Sequence, residues 1–275
     1  GEWTSRDVGP DVVLAAVISL PSQDNRRWWD GFRRPALGGQ GLASGGFAGG
    51  GSDLAIHDDR LVCLGNFQTA GQTPTVGVAA WDGETWTAFA DATPAYFEGY
   101  GLTVYAGLVT AFVTVADTPA VHQWDGTQWQ VLTTLPDGMI TFRQLRTLTI
   151  DGVETLLVAG EATHPDVPVE TGVFAWDPVV EAWTPLGQGL DPDLQLYGAA
   201  MFGGDLWVSG GEFGSPPRGV VYRLPGGDAG ATWENELDTN AHFAVDLAVH
   251  DGDLYVSTAL GENVVLLVNL AWTAV

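Results

Sequence analysis

The feature that most constrains the fold is a recurring pair of tryptophans flanking a turn that begins with aspartate. The segment WDGETWTAF covers residues 81–89, WDGTQWQVL covers 124–132, and a stretched version, WDPVVEAWTPL, covers 176–186. Self-similarity along a sequence is the signature of repeat architectures, and it has to be identified before local patterns are interpreted. The chain is therefore expected to fold as a series of similar units.

A second pattern recurs between the tryptophan segments, in which two apolar strands are separated by a tight Gly or Asp turn. Its copies are LAIHDDRLVCLGNF (54–67), LTVYAGLVTAFVTV (102–115), RTLTIDGVETLLVAG (146–160), GAAMFGGDLWVSGGEF (198–213) and LAVHDGDLYVSTAL (247–260). Asp-Gly, Gly-Gly and Asp-Asp pairs between such strands predict hairpins, because type I′ turns need positive φ. A third strand, and a fourth that carries the second tryptophan, complete each unit.

The spacing of the tryptophan position gives the number of units. It recurs at residues 29, 81, 124 and 176 and, in degenerate copies, at Leu224 and Asn269, at intervals of 43 to 52 residues. Four-stranded units of about this length are typical of β-propeller blades. The sequence thus predicts an all-β fold, a β-propeller of six four-stranded blades in one domain over residues 1–275. The first blade is the least regular, since its first strand has to come from EWTSRDV.

The same residues resemble a known repeat family. GNFQTAG (65–71), SGGEF (209–213) and DGDLYVS (251–257), followed by Trp-Asp-Gly, are similar to kelch-like propeller repeats of bacterial surface and secreted proteins. GGDAGATW (226–233) resembles the Asp box of sialidase-type propellers, with Gly226 in place of its first Ser. These resemblances imply a fold, with the Asp box as a turn between third and fourth strands. They imply no activity, because propellers host many functions.

The charge balance argues against several classes of partner. The chain has 34 acidic residues against ten basic ones, all of them arginine, and a net charge of −24. Nucleic acids and anionic membranes are bound through clusters of Lys and Arg, so neither is an expected partner. No apolar run is long enough for a membrane-spanning helix. We expect an extracellular or cell-surface protein without membrane insertion, whose signal peptide, if any, has been removed.

Several reactive side chains fit structural positions better than chemical ones. Cys63 lies in the apolar run RLVCLGNF, which predicts a buried, inert thiol. His57 and His250 occupy equivalent places in the repeat, which indicates a packing position.

Loops on one face of a propeller are where ligands usually bind, because a rigid scaffold presents them. Here those loops combine aromatic rings, carboxylates, an arginine and histidines, a composition that suits a sugar, although the composition fits a solvated acidic rim somewhat better. The ligand-binding candidates are Tyr96, Tyr100, Glu161, His164, Tyr197, Glu212, Arg218 and His242. No cofactor is expected. DPDLQ (191–195) and DGD (251–253) suggest Ca²⁺ by composition alone, without the spacing of a calcium loop, so no metal ligand is assigned.

Catalysis is the alternative for the same face. Glycoside hydrolysis needs two carboxyl groups about 5–9.5 Å apart, and Glu161 and Glu212 are the pair that the sequence offers. A sialidase would add an arginine cluster, for which Arg143, Arg146, Arg218 and Arg223 are candidates. No flanking motif supports either, so no catalytic residue is assigned. A carbohydrate-active hydrolase or lyase remains the alternative function.

One basic segment has no place in the repeat. NRRWWDGFRR (25–34) combines four arginines with aromatic residues, a composition typical of protein contacts. The partner-contact candidates are Arg26, Arg27, Trp28, Arg33 and Arg34. An alternative is that these arginines stack on exposed tryptophan of an irregular blade. The sequence therefore favours a non-catalytic binding or assembly module, with a glycan or a protein as its partner.

Overall fold

The described part of the chain is built almost entirely of strands. A computed structural model describes residues 42–43 and 51–274, with gaps at 66, 76, 90–97, 116–117, 136–138, 165–166, 213–217, 240–243, 251, 259–263 and 269–270. Within those residues the regular structure is 23 strands and one 3-10 helix. No helix in that part of the chain is long and apolar enough to cross a membrane.

The strands, numbered along the chain, form one small sheet and five four-stranded antiparallel sheets, here named I to V. The small sheet joins β1 (Leu42–Ala43), β4 (Thr69–Ala70) and β5 (Thr73–Pro74). Sheet I contains β2 (Gly51–His57), β3 (Arg60–Gly65), β6 (Val78–Trp81) and β7 (Trp86–Ala88). Sheet II contains β8 (Glu98–Tyr105), β9 (Leu108–Val115), β10 (Thr118–Trp124) and β11 (Trp129–Thr134).

The longest strands belong to sheet III. It contains β12 (Met139–Ile150), β13 (Val153–His164), β14 (Val167–Asp177) and β15 (Ala182–Leu186). Sheet IV contains β16 (Leu194–Phe202), β17 (Asp205–Glu212), β18 (Arg218–Leu224) and β19 (Glu234–Thr239), with the 3-10 helix Pro225–Gly227 after β18. Sheet V contains β20 (Ala244–His250), β21 (Asp253–Thr258), β22 (Val264–Val268) and β23 (Ala271–Ala274).

The sheets are arranged as in a propeller. In each one the four strands are hydrogen-bonded in sequence order. The first strand of every sheet contacts the first strand of the next, so that β2, β8, β12, β16 and β20 follow one another. Four apolar clusters lie between successive sheets; Val62, Leu102, Leu145, Leu196 and Leu247 are members. The predicted all-β propeller arrangement is thus observed.

The predicted number of six blades is not confirmed. The described residues form five four-stranded sheets, and the unit expected from residues 1–49 lies outside them apart from Leu42–Ala43, which pair with Thr69–Ala70. The position assigned to Asn269 also needs correction. Asn269 lies outside the described residues, and Leu267 faces Trp272 in the register, as Trp81 faces Trp86. The repeat in sheet V is therefore shifted by two residues.

The hairpins and tryptophan pairs that define the repeat are as predicted. Asp58 and Asp59 both have positive φ, at 49° and 58°, as a type I′ turn requires. The ring centroids of Trp81 and Trp86 are 5.2 Å apart, and the pairs in sheets II and III have nearly the same separation. Cys63 is buried, and this burial raises the pKa of its thiol well above the ordinary value, so the thiol stays protonated and inert.

The turn between the third and fourth strands depends on the aspartate that follows the first tryptophan. In sheet I, Asp82 Oδ1 accepts hydrogen bonds from the backbone N–H groups of Thr85 and Glu84, and these bonds lower the pKa of Asp82. Residues 226–233, the segment that resembles an Asp box, lie between the third and fourth strands of sheet IV, where Asp228 Oδ1 accepts from Gly230 N at 2.8 Å. Aspartate therefore has the same local role in turns of different sequence.

Candidate ligand-binding face and axial cluster

The structure describes the side chains of four of the eight ligand candidates: Glu161, Tyr197, Glu212 and Arg218. Tyr100 and His164 lie in β8 and β13. The remaining candidates, Tyr96 and His242, lie outside the described residues, as do the partner-contact candidates Arg26, Arg27, Trp28, Arg33 and Arg34.

Two of the candidates form an ion pair with each other at the edge of sheet IV. Glu212 ends β17, Arg218 begins β18, and the two residues face each other in the register. Arg218 Nη1 lies 2.7 Å from Glu212 Oε1. On its other side, Arg218 donates to both carboxylate oxygens of Asp238, each at 2.8 Å. The hydrogen bonds to Asp238 raise the pKa of Arg218, and Arg218 in turn lowers the pKa of Asp238.

This group of three, here called the strand-end triad, is fixed in geometry yet open to solvent. The side chains of Arg218, Glu212 and Asp238 are 34%, 26% and 44% exposed. A two-pronged contact between guanidinium and carboxylate holds both planar groups in one orientation. The hydrogen-bond donors and acceptors of the strand-end triad are therefore already in position before a ligand binds.

Glu161 lies at the same level of the adjacent sheet. It faces Thr171 in the register of sheet III, and Thr171 Oγ1 donates to the carbonyl oxygen of Leu194 at 2.6 Å. Leu194 in turn faces Glu212. Two register pairs and one hydrogen bond between the sheets therefore connect Glu161 with Glu212.

Tyr197 occupies an irregular position on the first strand of sheet IV. It lies in β16 at a register shift between Leu196 and Gly198, and its hydroxyl donates to Gln195 Oε1 at 2.9 Å. Bulges of this kind re-aim side chains. The register places Tyr197 further along β16 than the residue that faces Glu212, so its ring is set back from the strand-end triad.

A second polar group, which sequence reasoning did not identify as a unit, lies where the first strands meet. Arg146 on β12 contacts Asp53 on β2, with Nη1 to Oδ2 at 3.0 Å, and Asp246 on β20, with Nη2 to Oδ2 at 3.5 Å. The side chains of Asp53 and Asp246 are only 7% and 2% exposed, and that of Arg146 is 19% exposed. This axial cluster links three sheets that are not neighbours.

The axial cluster is electrostatically coupled. Burial disfavours the charged guanidinium, but the charges of Asp53 and Asp246 outweigh it and raise the pKa of Arg146. Asp53 also accepts the backbone N–H groups of Leu54 and Leu102, both at 2.8 Å, and Asp246 accepts that of Leu247 at 2.9 Å. Buried charges are tolerated only when they are paired and hydrogen-bonded in this way.

The local sequence explains why the two aspartates are alike. Both follow a bulge in the first strand, and both begin the motif Asp-Leu-Ala-x-His, at 53–57 and 246–250. Gln144 follows a bulge in sheet III, and in the orientation that satisfies its amide its oxygen accepts from Arg146. The repeated motif was the signal that could have identified the aspartates, whereas nothing in the sequence indicates that Arg146 reaches both.

The structure does not bring together the three candidate arginines whose side chains it describes. Arg146 is on the axis and Arg218 in the strand-end triad. Arg223 contacts Asp205 at 3.1 Å, Glu236 at 2.9 Å and Glu234. The side chain of Arg143 is not among those described. Each candidate arginine with a described side chain is thus paired with at least two carboxylates of the protein. In a cluster that binds a substrate carboxylate, the arginines would instead face the substrate.

The acidic segments proposed for Ca²⁺ contain local turns. In DPDLQ, Asp191 Oδ1 accepts the backbone N–H of Asp193 at 3.0 Å. Within the described residues, no group of three or more His, Cys, Asp or Glu side chains is arranged to hold a metal ion.

No family model matches the chain, and no curated protein matches it. The kelch-like and Asp-box resemblances therefore stay predictions.

Solved structures show a similar fold at low identity. The extracellular domain of a hybrid two-component system from B. thetaiotaomicron is 11% identical, with a TM-score of 0.49 over 85% of this chain and 34% of that one. A chain of the nidogen/laminin complex is 15% identical, with a TM-score of 0.50 over 78% of this chain and 74% of that one. A puromycin hydrolase mutant complexed with PGG is 12% identical, with a TM-score of 0.53 over 80% of this chain and 38% of that one. The chain thus spans about a third of the length of the first and third of these structures. The likeness to the second and third shows the fold alone, an all-β propeller arrangement.

Proposed function

We propose that the chain is a non-catalytic binding module on a single, kelch-like, six-bladed propeller domain, exported or at the cell surface, and that it binds a glycan. The observation that carries this proposal is the strand-end triad of Glu212, Arg218 and Asp238, which is fixed and partly exposed. It lies at the same end of the sheets as Glu161, and the candidate Tyr197 is on the first strand of the same sheet.

The chemistry of this junction suits neutral hydroxyl groups. A sugar hydroxyl both donates and accepts, so adjacent hydroxyls fit a carboxylate beside a guanidinium. The ring of Tyr197, on the strand next to that of Glu212, offers an apolar face for a pyranose ring. A neutral ligand is also compatible with a net charge of −24, which would repel an anionic one.

The carboxylates of the junction fit binding better than acid–base chemistry. A general acid has to come within hydrogen-bond reach of the atom that it protonates. Glu212 is instead held in an ion pair with the guanidinium of Arg218, at 2.7 Å. Its pairing therefore favours recognition over proton transfer.

The test is glycan-array binding by the purified chain, with Ca²⁺ and with EDTA, comparing Arg218→Met with Arg223→Met. Arg223 is the matched control because it is also ion-paired on β18, at the opposite end of that strand. We expect selective glycan binding by the parent chain and by Arg223→Met, and at least about tenfold weaker binding by Arg218→Met, since charged hydrogen bonds are worth about 1.5–3 kcal/mol.

Three outcomes would count against the proposal. A blank array would refute the glycan as ligand, and equal binding by both variants would place the site elsewhere. Release of new reducing ends from the bound glycan would establish the hydrolase alternative. Loss of binding in EDTA would add a metal ion to the site.

A further inference from the structure

The opposite end of sheet III carries an exposed apolar group. Successive strands run in opposite directions, so the β12–β13 turn and the β14–β15 turn are both at the end away from Glu161. Val153 begins β13, and Val179 and Val180 are in the β14–β15 turn. They are 63%, 88% and 65% exposed. These three residues are here called the valine tip.

The three valines lie at the same end of sheet III. Val179 and Val180 are consecutive in the β14–β15 turn, and Val153 follows the β12–β13 turn. The two turns belong to β13 and β14, which pair with each other from Leu157 and Ala175 onward. The valine tip therefore combines exposed apolar side chains from two turns at one end of the sheet.

Comparison with the equivalent turns shows that the fold does not require valine there. Asp177 Oδ1 accepts the backbone N–H groups of Val179 and Val180. In sheet II, Asp125 Oδ1 accepts those of Thr127 and Gln128 in the same way. Sheet I has Glu84 and Thr85 at these two positions. The sheet III turn is two residues longer than the other two, but the aspartate makes the same hydrogen bonds in all three, and in sheets I and II its partners are polar residues, which are the usual ones in turns.

Valine at these positions is unfavourable for an isolated chain. β-branched apolar residues are suited to half-buried strands and lose that advantage in an exposed turn. Positions where a sequence departs from its own local pattern without a structural gain are expected at functional sites. An exposed apolar group with a polar rim is the usual form of a protein contact.

The charges around the valine tip determine which partner fits. Its acidic neighbours are Asp151, Glu154, Asp177 and Glu181. Residues 147–217 contain no arginine or lysine. We propose that the valine tip is a docking site for a short protein segment whose apolar side chains are flanked by lysine or arginine. Three valines can anchor a short segment but are far fewer than the 20–30 residues per side of a standard domain interface.

The experiment measures binding of three labelled octapeptides to the full chain by fluorescence anisotropy at physiological ionic strength. The peptides are four repeats of Arg-Leu, of Glu-Leu and of Arg-Ser, which separate the charge requirement from the apolar one. The test variant is Val179→Thr with Val180→Gln, the pair that the sheet II turn already carries. The matched control is Val131→Thr, which changes a valine of similar exposure, 62%, on β11 of sheet II.

We expect the Arg-Leu peptide to bind the parent chain and the control equally, and the double variant at least about tenfold more weakly, since burial of one valine corresponds to roughly tenfold in affinity. An unchanged circular dichroism spectrum and melting temperature would show that the variant folds normally. Equal binding of the Arg-Ser peptide, or equal binding to all chains, would overturn the proposal in favour of unspecific attraction to an acidic protein. Concentration-dependent self-association of the parent chain that the double variant removes would overturn it in favour of a second copy as the occupant.

Discussion

Replacement of Arg146 by methionine tests whether one guanidinium holds the axial cluster together. The variant keeps an apolar stem of similar length and removes the positive charge that lies between Asp53 and Asp246. Both carboxylates then stay buried without a counter-charge. Because these three residues belong to sheets I, III and V, the loss affects the arrangement of the sheets and not a single hairpin.

The size of the effect follows from the contacts. Removal of one partner from a buried ion pair costs about 3–5 kcal/mol. Asp53 keeps the N–H groups of Leu54 and Leu102, and Asp246 has the looser contact to Arg146, at 3.5 Å. These features point to the lower end of the range, so we expect a loss of about 3 kcal/mol in the free energy of unfolding, or roughly 6–12 °C in melting temperature.

Urea unfolding followed by tryptophan fluorescence and by circular dichroism measures this loss. Arg60→Met is the control, since Arg60 is an exposed residue at the start of β3, and it should change stability by less than about 0.5 kcal/mol. The triple variant with Asp53→Asn, Arg146→Met and Asp246→Asn should recover part of the loss, because it removes the uncompensated charges. A loss under about 1 kcal/mol in Arg146→Met, or no recovery in the triple variant, would refute the argument.

Three further predictions concern the sheets and their junctions. Burial lowers the pKa of His122, whose Nδ1 lies 3.2 Å from the carbonyl oxygen of Ala120. As the pH drops below about 6.5, the unfolded chain binds a proton at this residue before the folded chain does, so the free energy of unfolding falls. In a series of thermal melts at different pH, His122→Gln should remove this part of the pH dependence. Gly198→Ala should lower the free energy of unfolding by about 1–3 kcal/mol, because the added Cβ would be 2.8 Å from Asp246 Cα. An unchanged midpoint in urea unfolding would contradict this. Trp233→Phe removes the 3.0 Å hydrogen bond from Nε1 to the buried carbonyl oxygen of Leu186, which should lower the unfolding free energy by about 1–3 kcal/mol, and a smaller loss would show that another donor replaces it.

The sequence predicted the repeating elements because their signals are local. A pair such as Asp58-Asp59 needs only its own backbone to form a type I′ turn, and a tryptophan pair such as Trp81 and Trp86 follows from the turn between its members. The number of units was harder to predict from the sequence. It depended on residues 1–49, where the pattern is weakest, and the described residues do not reproduce six blades.

The candidate site was predicted in composition but not in pairing. Glu212 and Arg218 were selected as separate ligand residues, and the register shows that they face each other. The axial cluster could not be predicted from the sequence, for a different reason. Arg146 is 93 residues from Asp53 and 100 from Asp246, and only the order of the sheets around the axis brings them together. Spacing along the chain carries no information on such a contact.

The distribution of arginine connects these observations with function. Of the four arginines whose side chains are described, only Arg60 is outside an ion-pair network; Arg146, Arg218 and Arg223 each contact two or more carboxylates. With 34 acidic residues in the chain, these internal pairs leave the surface strongly negative. A surface of that kind selects against anionic partners over distances of about 10 Å at moderate salt. The two proposed ligands, neutral hydroxyl groups at the strand-end triad and a basic segment at the valine tip, are both compatible with such a surface, and the two proposed sites are at opposite ends of sheets IV and III.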